Sequence, residues 1–243
     1  LQNPALYTNR ELSWLLFNKR VLSEARDKQL LLFERLKFLS ITASNLDEFF
    51  MVRIGSLVDM IHAEYTKKDI AGMSAKEQLD ALMEETHKFA ALQYSTYNRM
   101  LLPQLRANGL NFVEHHEQLT ERQAQYVDEY FEENVYPVLT PMAVDSSRPF
   151  PLIRNKTLNI GALVAKKGEK DTEIEFATVQ VPSVLPRVVR IPAAKEGDTE
   201  VAVLLLEEII ERNISKLFLN YNVLCAHPFR ITRNADLAID EDE

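Results

Sequence analysis

The stretch SNLDEFFMVR, Ser44–Arg53, decides how the first half of the chain folds. Ser44 followed three residues later by Asp47 has the spacing of a capping box, which satisfies free backbone N–H groups where a helix starts. From Leu46 onward the apolar residues recur at steps of three and four, which is typical of an amphipathic helix. The pattern therefore predicts a helix from Ser44 to about Tyr65, with Asn45 in its exposed first turn.

Two further helices are predicted before Ser44. Thr8 with Glu11 has capping-box spacing, and the leucines that follow predict a helix over about residues 9–25. The run LLLFERLKFL predicts a second, shorter helix that ends near Thr42. If Ser44 caps the next helix, its replacement by alanine is expected to cost about 1 kcal/mol of stability.

A long helix is predicted after the glycine-containing break near Gly72. Ser74 with Glu77 is another capping box, and Asn108-Gly109 is a typical helix end. Pro103 lies inside this helix and is expected to kink it, because proline removes one backbone hydrogen bond. The first half of the chain is therefore predicted to be all helical.

Two charged features of the opening stretch allow more than one interpretation. Arg53 falls within the apolar stripe, so it is expected to pair with a carboxylate on a neighbouring helix or, alternatively, with a ligand anion. Asp47 and Glu48 can hold Mg²⁺ or can simply favour a helix start through its dipole. Adjacent helical side chains point about 100° apart, which favours the second interpretation.

The second half mixes helices and strands. Thr120 with Gln123 caps a predicted helix, which Pro137 stops. The four prolines of residues 136–156 predict an irregular segment. Beyond it, a hairpin is predicted from TLNIGALVA and EIEFATVQV, and a short strand from PRVVRIP. A strand followed by a helix is predicted from TEVAVLLLEEIIERNISKLF, and one or two short strands from NVLCAHPFRITRNADL.

Composition limits the class of protein. The chain has 243 residues, 46% of them apolar, and no run of about eighteen uncharged apolar residues that would span a bilayer. A single cysteine, Cys225, and the absence of a signal-like opening favour a reducing compartment. We therefore expect a cytoplasmic location, with membrane association left open.

Charge is unevenly distributed. Residues 1–108 carry 14 Lys and Arg against 13 Asp and Glu, whereas residues 109–243 carry 14 against 23, giving the net charge of −8. An acidic protein is a poor general binder of nucleic acid, so no nucleic-acid partner is expected. Any phosphate site must be local. Seven basic residues flank turns or strand ends of the second half: Arg148, Arg154, Lys156, Arg187, Arg190, Arg230 and Arg233. They could converge on phosphate, but pairing with the excess acidic residues is the favoured interpretation.

The usual motifs of nucleotide and metal chemistry are missing. The sequence has no GxxxxGK[ST] loop and no GxGxxG, and no nucleophile stands out. The five histidines show neither HExxH spacing nor a paired cysteine cluster, which argues against a zinc site. His115 and His116 are expected to lie in a solvated loop. We assign no catalytic or metal-binding residue within this chain.

Four segments together resemble the amino-terminal half of bacterial polyphosphate kinase. They are YTNRELSWLLFNKRVLSEA, ERLKFLSITASNLDEFFMVRIGSL, PVLTPMAVDSSRPFPLI and FRITRNADLAIDEDE, in this order. A local departure is Leu31, where the family often has proline. The resemblance implies an α+β fold with an all-α helical amino-terminal domain at 1–108, followed by a mixed head domain at 109–243 that is cut short at Glu243.

The resemblance also implies a function. Enzymes of this family move the terminal phosphate of ATP reversibly to inorganic polyphosphate, with Mg²⁺ and through a phosphohistidine that would lie beyond Glu243. ATP, ADP and polyphosphate are the implied ligands, and dimerisation through the head domain is implied. The family's nucleotide contact in its first domain is the asparagine of NLDEF, which corresponds to Asn45. Alternatively, the chain is a non-catalytic helical interaction or scaffolding module.

Overall fold

The computed structural model describes residues 3–144, 151–168 and 174–235. Two compact units divide the chain. The first runs to Leu105 and takes in the segment that begins at Thr232, and the second is Arg106–Ile231. The first unit is helical and the second combines helices with two sheets, so the predicted α+β class, with the helical part first, is confirmed.

Helices build the first unit. Their bounds are α1, Arg10–Arg26; α2, Leu32–Phe49; α3, Gly55–His62; α4, Ala75–Thr96; and α5, Leu102–Ala107, whose last two residues belong to the second unit. Single π turns at Phe50–Ile54 and Tyr97–Leu101 join α2 to α3 and α4 to α5. Gly109, with a φ of +79°, ends the second of these helical runs as predicted.

The predicted helix start at Ser44 is wrong. Helix α2 begins at Leu32 and runs through Ser44 to Phe49 without a break. A capping box needs backbone N–H groups that lack partners, and in a helix interior these already bond to the preceding turn. Thr42, which is buried, fills the stripe position between Leu39 and Leu46, so the helical period continues across Ser44.

The other predicted helix starts are largely correct. Ser74–Glu77 and Thr120–Gln123 form complete capping boxes, with side chain and backbone bonded in both directions. Thr8 is not the cap of α1. Asn9 holds that position, and its side-chain oxygen accepts a hydrogen bond from the Leu12 N–H at 2.9 Å. Asparagine is among the best capping residues, so the one-residue shift follows ordinary preference.

The core of the first unit lies between α1, α2, α3 and α4. Trp14 of α1 stacks on Phe49 of α2, with ring centroids 4.4 Å apart and nearly parallel. The buried apolar residues form two clusters, which contain Leu15, Phe49, Ile54, Leu57, Ala75 and Leu82 in one and Leu22, Ala25 and Phe89 in the other.

The second unit contains two sheets and two further helices. Its elements are β1, Leu110–Phe112; α6, Glu121–Tyr130; β2, Pro141–Val144; β3, Leu158–Lys166; β4, Ile174–Gln180; β5, Val188–Ile191; β6, Val201–Leu205; α7, Leu206–Arg212; and β7, Tyr221–Arg230. One sheet has the order β1-β6-β5, with β1 parallel to β6, and the other has the antiparallel order β2-β4-β3-β7. A shared core of apolar residues includes Phe131, Ile160, Val179, Leu204 and Ile210.

Two predictions about strands need correction. The segment rich in prolines is not wholly irregular, because Pro141–Val144 pairs with β4 as an edge strand. Proline is compatible with a strand at an edge or at its first position, where its missing N–H costs no ladder bond. The last strand is a single one of ten residues, with a register shift at Leu163/Val164 of its partner. The predicted hairpin of β3 and β4 is confirmed.

Within the described ranges, no helix combines the length and apolar character needed to cross a bilayer.

Candidate functional site

A small cavity opens beside Asn45 in the first unit. It has a volume of about 240 Å³ and is lined by Trp14, Phe17, Asn45, Glu48, Phe49, Val52 and Arg53. These residues come from α1, from the second half of α2 and from the π turn that follows. The opening stretch of the sequence therefore provides one wall of a cavity, although it lies inside a helix and not at a helix start.

The side chain of Asn45 is held by a second asparagine. Asn45 Nδ2 donates to Asn18 Oδ1 at 3.0 Å, and Asn18 Nδ2 donates to the Thr42 carbonyl at 3.1 Å. A backbone carbonyl only accepts, so Asn18 must turn its NH₂ group toward Thr42 and its oxygen toward Asn45. Asn45 must then present its own NH₂ group to Asn18. The chain of bonds fixes the orientation of the Asn45 carboxamide.

This orientation leaves polar groups of Asn45 for a ligand. A carboxamide has two N–H donors and an oxygen acceptor, and only one donor is used on Asn18. No described residue donates a hydrogen bond to Asn45 Oδ1. Asn45 is half-buried on the cavity wall. It can therefore offer a donor and an acceptor side by side.

Aromatic side chains of α1, those of Trp14 and Phe17, also line this cavity. Trp14 is fixed by its stack on Phe49. Phe17, one turn further along α1, is 47% exposed, and the guanidinium of Arg20 lies 5.7 Å from its ring centroid. Fixed and exposed aromatic faces next to a carboxamide are suited to a flat heterocycle, which stacks and hydrogen-bonds at its edge.

Arg53 connects this cavity to a larger one. The second cavity has a volume of about 480 Å³, and Arg53 lines both. Its wall carries four basic side chains against two acidic ones, which are Arg10, Arg53, Lys67 and Lys68 against Glu11 and Asp69. The surplus of positive charge makes the larger cavity a suitable place for an anion.

The position of Arg53 differs in part from the prediction. Its Nε lies 4.0 Å from Glu11 Oε2 on α1, which agrees with pairing to a carboxylate on a neighbouring helix. Arg53 is not buried, however, because its side chain is 49% exposed. Glu11 is also held by Arg10, whose Nε donates to it at 2.8 Å. Arg53 is therefore loosely paired and faces both cavities.

The acidic residues beside Asn45 do not form a cation site in the described residues. Asp47 lies in the interior of α2, so its expected role at a helix start is wrong. Glu48 lines the small cavity, and Glu11 is engaged by two arginines. Among the described residues, three side chains that lie close enough together to share a cation are found in the second unit: His115, Glu117 and Glu208.

Among the basic residues of the second half, Arg187 has a clear partner. Its Nε lies 3.1 Å from both carboxylate oxygens of Glu207. This pair agrees with the expectation that these arginines meet the excess acids. Arg148 lies outside the described residues.

Sequence reasoning missed Asn18. It is fully buried on the face of α1 that otherwise carries Leu15, Leu22 and Ala25. A polar residue at a core position of an apolar stripe requires a hydrogen-bond partner, and that signal was present in the sequence. Its partner could not be read from spacing, because Asn45 lies 27 residues away.

Two family domains match the chain. Residues 7–113 match the polyphosphate kinase N-terminal domain, and residues 122–243 match the polyphosphate kinase middle domain. The chain therefore belongs to the polyphosphate kinase family, and the resemblance of its four motifs is confirmed.

Named relatives agree with this assignment. The chain is 48% identical to polyphosphate kinase of Lactiplantibacillus plantarum over 98% of its length and 32% of the relative. It is 47% identical to polyphosphate kinase of Halalkalibacterium halodurans over 100% of its length and 34% of the relative. The crystal structure of polyphosphate kinase from Porphyromonas gingivalis matches with a TM-score of 0.82 and 31% identity, over 96% of this chain and 34% of that one. The chain thus spans about a third of these relatives.

Proposed function

We propose that this chain is the amino-terminal part of an enzyme that transfers the terminal phosphate of ATP reversibly to inorganic polyphosphate. The observation that carries the proposal is the oriented carboxamide of Asn45 in a cavity with aromatic walls, next to a cavity with surplus positive charge. The names of the relatives supply the reaction, and the geometry supplies a place for the nucleotide.

Asn45 binds the base in this proposal. The oxygen of its carboxamide accepts a hydrogen bond from the exocyclic amine of adenine, and its second N–H donates to a ring nitrogen. Pockets for drug-sized ligands measure roughly 300–1,000 Å³, so a cavity of about 240 Å³ is suited to only part of the nucleotide. The base lies against Trp14 and Phe17.

The phosphates extend toward the larger cavity. Arg53 borders both cavities and is only loosely paired with Glu11, so it can turn toward a phosphate oxygen. Arginine suits this role because its guanidinium forms paired hydrogen bonds with phosphate. Lys67 and Lys68 add positive charge on the same wall.

The chemical step belongs outside this chain. When bound, Mg²⁺ neutralises charge on the transferring phosphate. The described residues around Asn45 do not offer it a set of free carboxylates, so we assign no Mg²⁺ ligand here. The phosphohistidine is likewise proposed to lie beyond Glu243. The described linings of the two cavities contain no histidine.

Transfer of labelled phosphate from ATP to polyphosphate tests this function. The full-length enzyme should transfer label, and the 243-residue chain alone should not, because the nucleophile is proposed to lie beyond Glu243. Transfer by the isolated chain would show that the nucleophile lies within it. No transfer by the full-length protein would favour the non-catalytic interaction module.

Dimerisation through the second half is a separate part of the proposal. The antiparallel sheet ends in β2 and β7, and exposed edge strands are ready to pair with another chain. Leu224 on β7 is 54% exposed, which adds apolar surface at that edge. Light scattering should show a dimer at high protein concentration, and a monomer at all concentrations would argue against this contact.

A further inference from the structure

A cluster of histidine and glutamate side chains lies in the second unit. His115, His116 and Glu117 form the short segment before α6, and Glu208 lies on α7. One ligand atom from each of His115, Glu117 and Glu208 lies within 4.8 Å of the others. The expectation that both histidines lie in a solvated loop is wrong for His116, whose side chain is only 18% exposed.

Contacts with His116 orient the carboxylate of Glu208. The backbone N–H of His116 donates to Glu208 Oε2 at 2.9 Å, and His116 Nδ1 lies 3.2 Å from the same oxygen. The other oxygen, Oε1, lies 3.7 Å from His115 Nδ1. Glu208 is therefore held by one oxygen while its second oxygen faces an exposed imidazole.

A second carboxylate, that of Glu211, lies near Glu208 on the same helix. Glu211, one helical turn further along α7, is largely buried, and its Oε1 lies 3.4 Å from His227 Nδ1. Burial and the neighbouring Glu208 carboxylate raise the pKa of the Glu211 carboxyl, whereas His227 and His116 act to lower it.

We propose that His115, Glu117 and Glu208 bind a divalent transition-metal cation of the Zn²⁺ type, with water completing the coordination. Imidazole and carboxylate are ordinary Zn²⁺ ligands at about 2.0–2.2 Å. His115 and Glu117 are exposed and can rotate to close the remaining distance, whereas Glu208 is fixed. His116 supports the site by holding the far oxygen of Glu208, as outer partners of metal ligands commonly do.

The presence of imidazole selects the class of metal. Mg²⁺ prefers an octahedral shell of oxygen ligands and several waters, whereas imidazole suits Zn²⁺, Ni²⁺ and Cu²⁺. The site is therefore distinct from the Mg²⁺ proposed to accompany ATP, and it does not depend on the proposed function. The sequence argues against zinc because its histidines show neither HExxH spacing nor a paired cysteine cluster. Spacing could not reveal this set, because Glu208 lies 92 residues from His116.

Metal binding would tie two segments of the second unit together. His115 and Glu117 lie on the segment before α6, and Glu208 lies on α7. A ligand that binds only the folded state stabilises it, so Zn²⁺ should raise the melting temperature of the wild-type chain.

Competition with a coloured chelator tests the site. The wild-type chain should take one Zn²⁺ from the chelator, and His115→Ala and Glu208→Gln should each weaken that affinity by about tenfold or more. His87→Ala, an exposed histidine of α4, is the matched control and should bind as the wild type does. Mg²⁺ at millimolar concentration should not displace the Zn²⁺.

His115→Ala decides the result even if Glu208→Gln fails to fold, because His115 is 66% exposed. Wild-type affinity in His115→Ala, or a loss of the same size in His87→Ala, would overturn the proposal. Failure of the wild-type chain to take Zn²⁺ from the chelator would also overturn it. None of these results bears on ATP transfer, which is measured separately.

Discussion

At the scale of single residues, Asn18 links stability to the proposed site. It is fully buried among leucines, and its two hydrogen bonds, to Thr42 and Asn45, satisfy its polar groups. A buried polar group without hydrogen-bond partners lowers the stability of the folded state, so the fold depends on both of these bonds. The same bonds set which atoms of Asn45 face the cavity.

Asn18→Ala should destabilise the chain by about 1–3 kcal/mol, because it leaves the Thr42 carbonyl without that donor and opens a gap in the core. Ser44→Ala is the matched control one residue from Asn45. Ser44 is exposed within α2 and caps nothing, so its replacement should change stability by no more than about 0.5 kcal/mol. Urea denaturation measures both. A larger loss of unfolding free energy for Ser44→Ala than for Asn18→Ala would contradict the structure.

The ion pair between Asp128 and Arg212 should make stability depend on pH. The guanidinium of Arg212 holds the pKa of the Asp128 carboxyl below its usual 3.8, with a further hydrogen bond from Asn213. A depressed pKa in the folded state gives stability that is present above the unfolded pKa and is lost as pH falls through the folded one.

Asp128→Asn should therefore lower stability at neutral pH and flatten its decline at acidic pH. Urea denaturation at a series of pH values measures this. Glu129→Gln, on the exposed side of α6, is the control and should keep the wild-type profile. An unchanged acid decline in Asp128→Asn would show that the pair with Arg212 contributes little.

At the scale of elements, the apolar period and the capping residues predicted most of the helices. Ser74 and Thr120 begin helices as expected because no α-helix continues into either of them. Ser44 has the same local pattern but does not begin a helix, because it lies in the interior of α2, which begins at Leu32. A capping box is a local pattern, and only the preceding residues decide whether its backbone groups are free.

Gly55 at the start of α3 allows the segment after Ile231 to approach. A Cβ atom at Gly55 would lie 2.8 Å from the side chain of Asn234. Asn234 Nδ2 donates to Asp59 Oδ2 at 3.1 Å, and the Ala235 N–H donates to the Met51 carbonyl at 3.0 Å. Glycine at position 55 therefore leaves the room that the side chain of Asn234 occupies.

Gly55→Ala should displace Asn234 and loosen this segment while α3 remains helical. Trypsin should then cleave after Arg233 faster than in the wild type. Ser56→Ala, the exposed neighbour on the same helix, should leave the rate unchanged. Equal rates for the wild type and Gly55→Ala would mean that the segment is not held by this contact.

At the scale of the whole molecule, the candidate site combines residues that are distant in sequence. Trp14 and Asn18 come from α1, and Asn45 and Arg53 come from α2 and the turn after it. The resemblance pointed to Asn45, but neither its partner nor the adjoining cationic cavity could be predicted, because both depend on how helices pack. The chain spans about a third of its relatives.

The most direct test of the account is the kinetics of Asn45→Ala in the full-length enzyme. Asn45→Ala removes both proposed hydrogen bonds to the base, and the loss of even one, about 1.4 kcal/mol, should lower kcat/KM for ATP roughly tenfold. Ser44→Ala should retain wild-type kinetics, and urea denaturation of each variant separates binding from folding. A kcat/KM for ATP that is unchanged in Asn45→Ala, together with a large loss of stability, would show that Asn45 only supports the helix packing and would contradict the account.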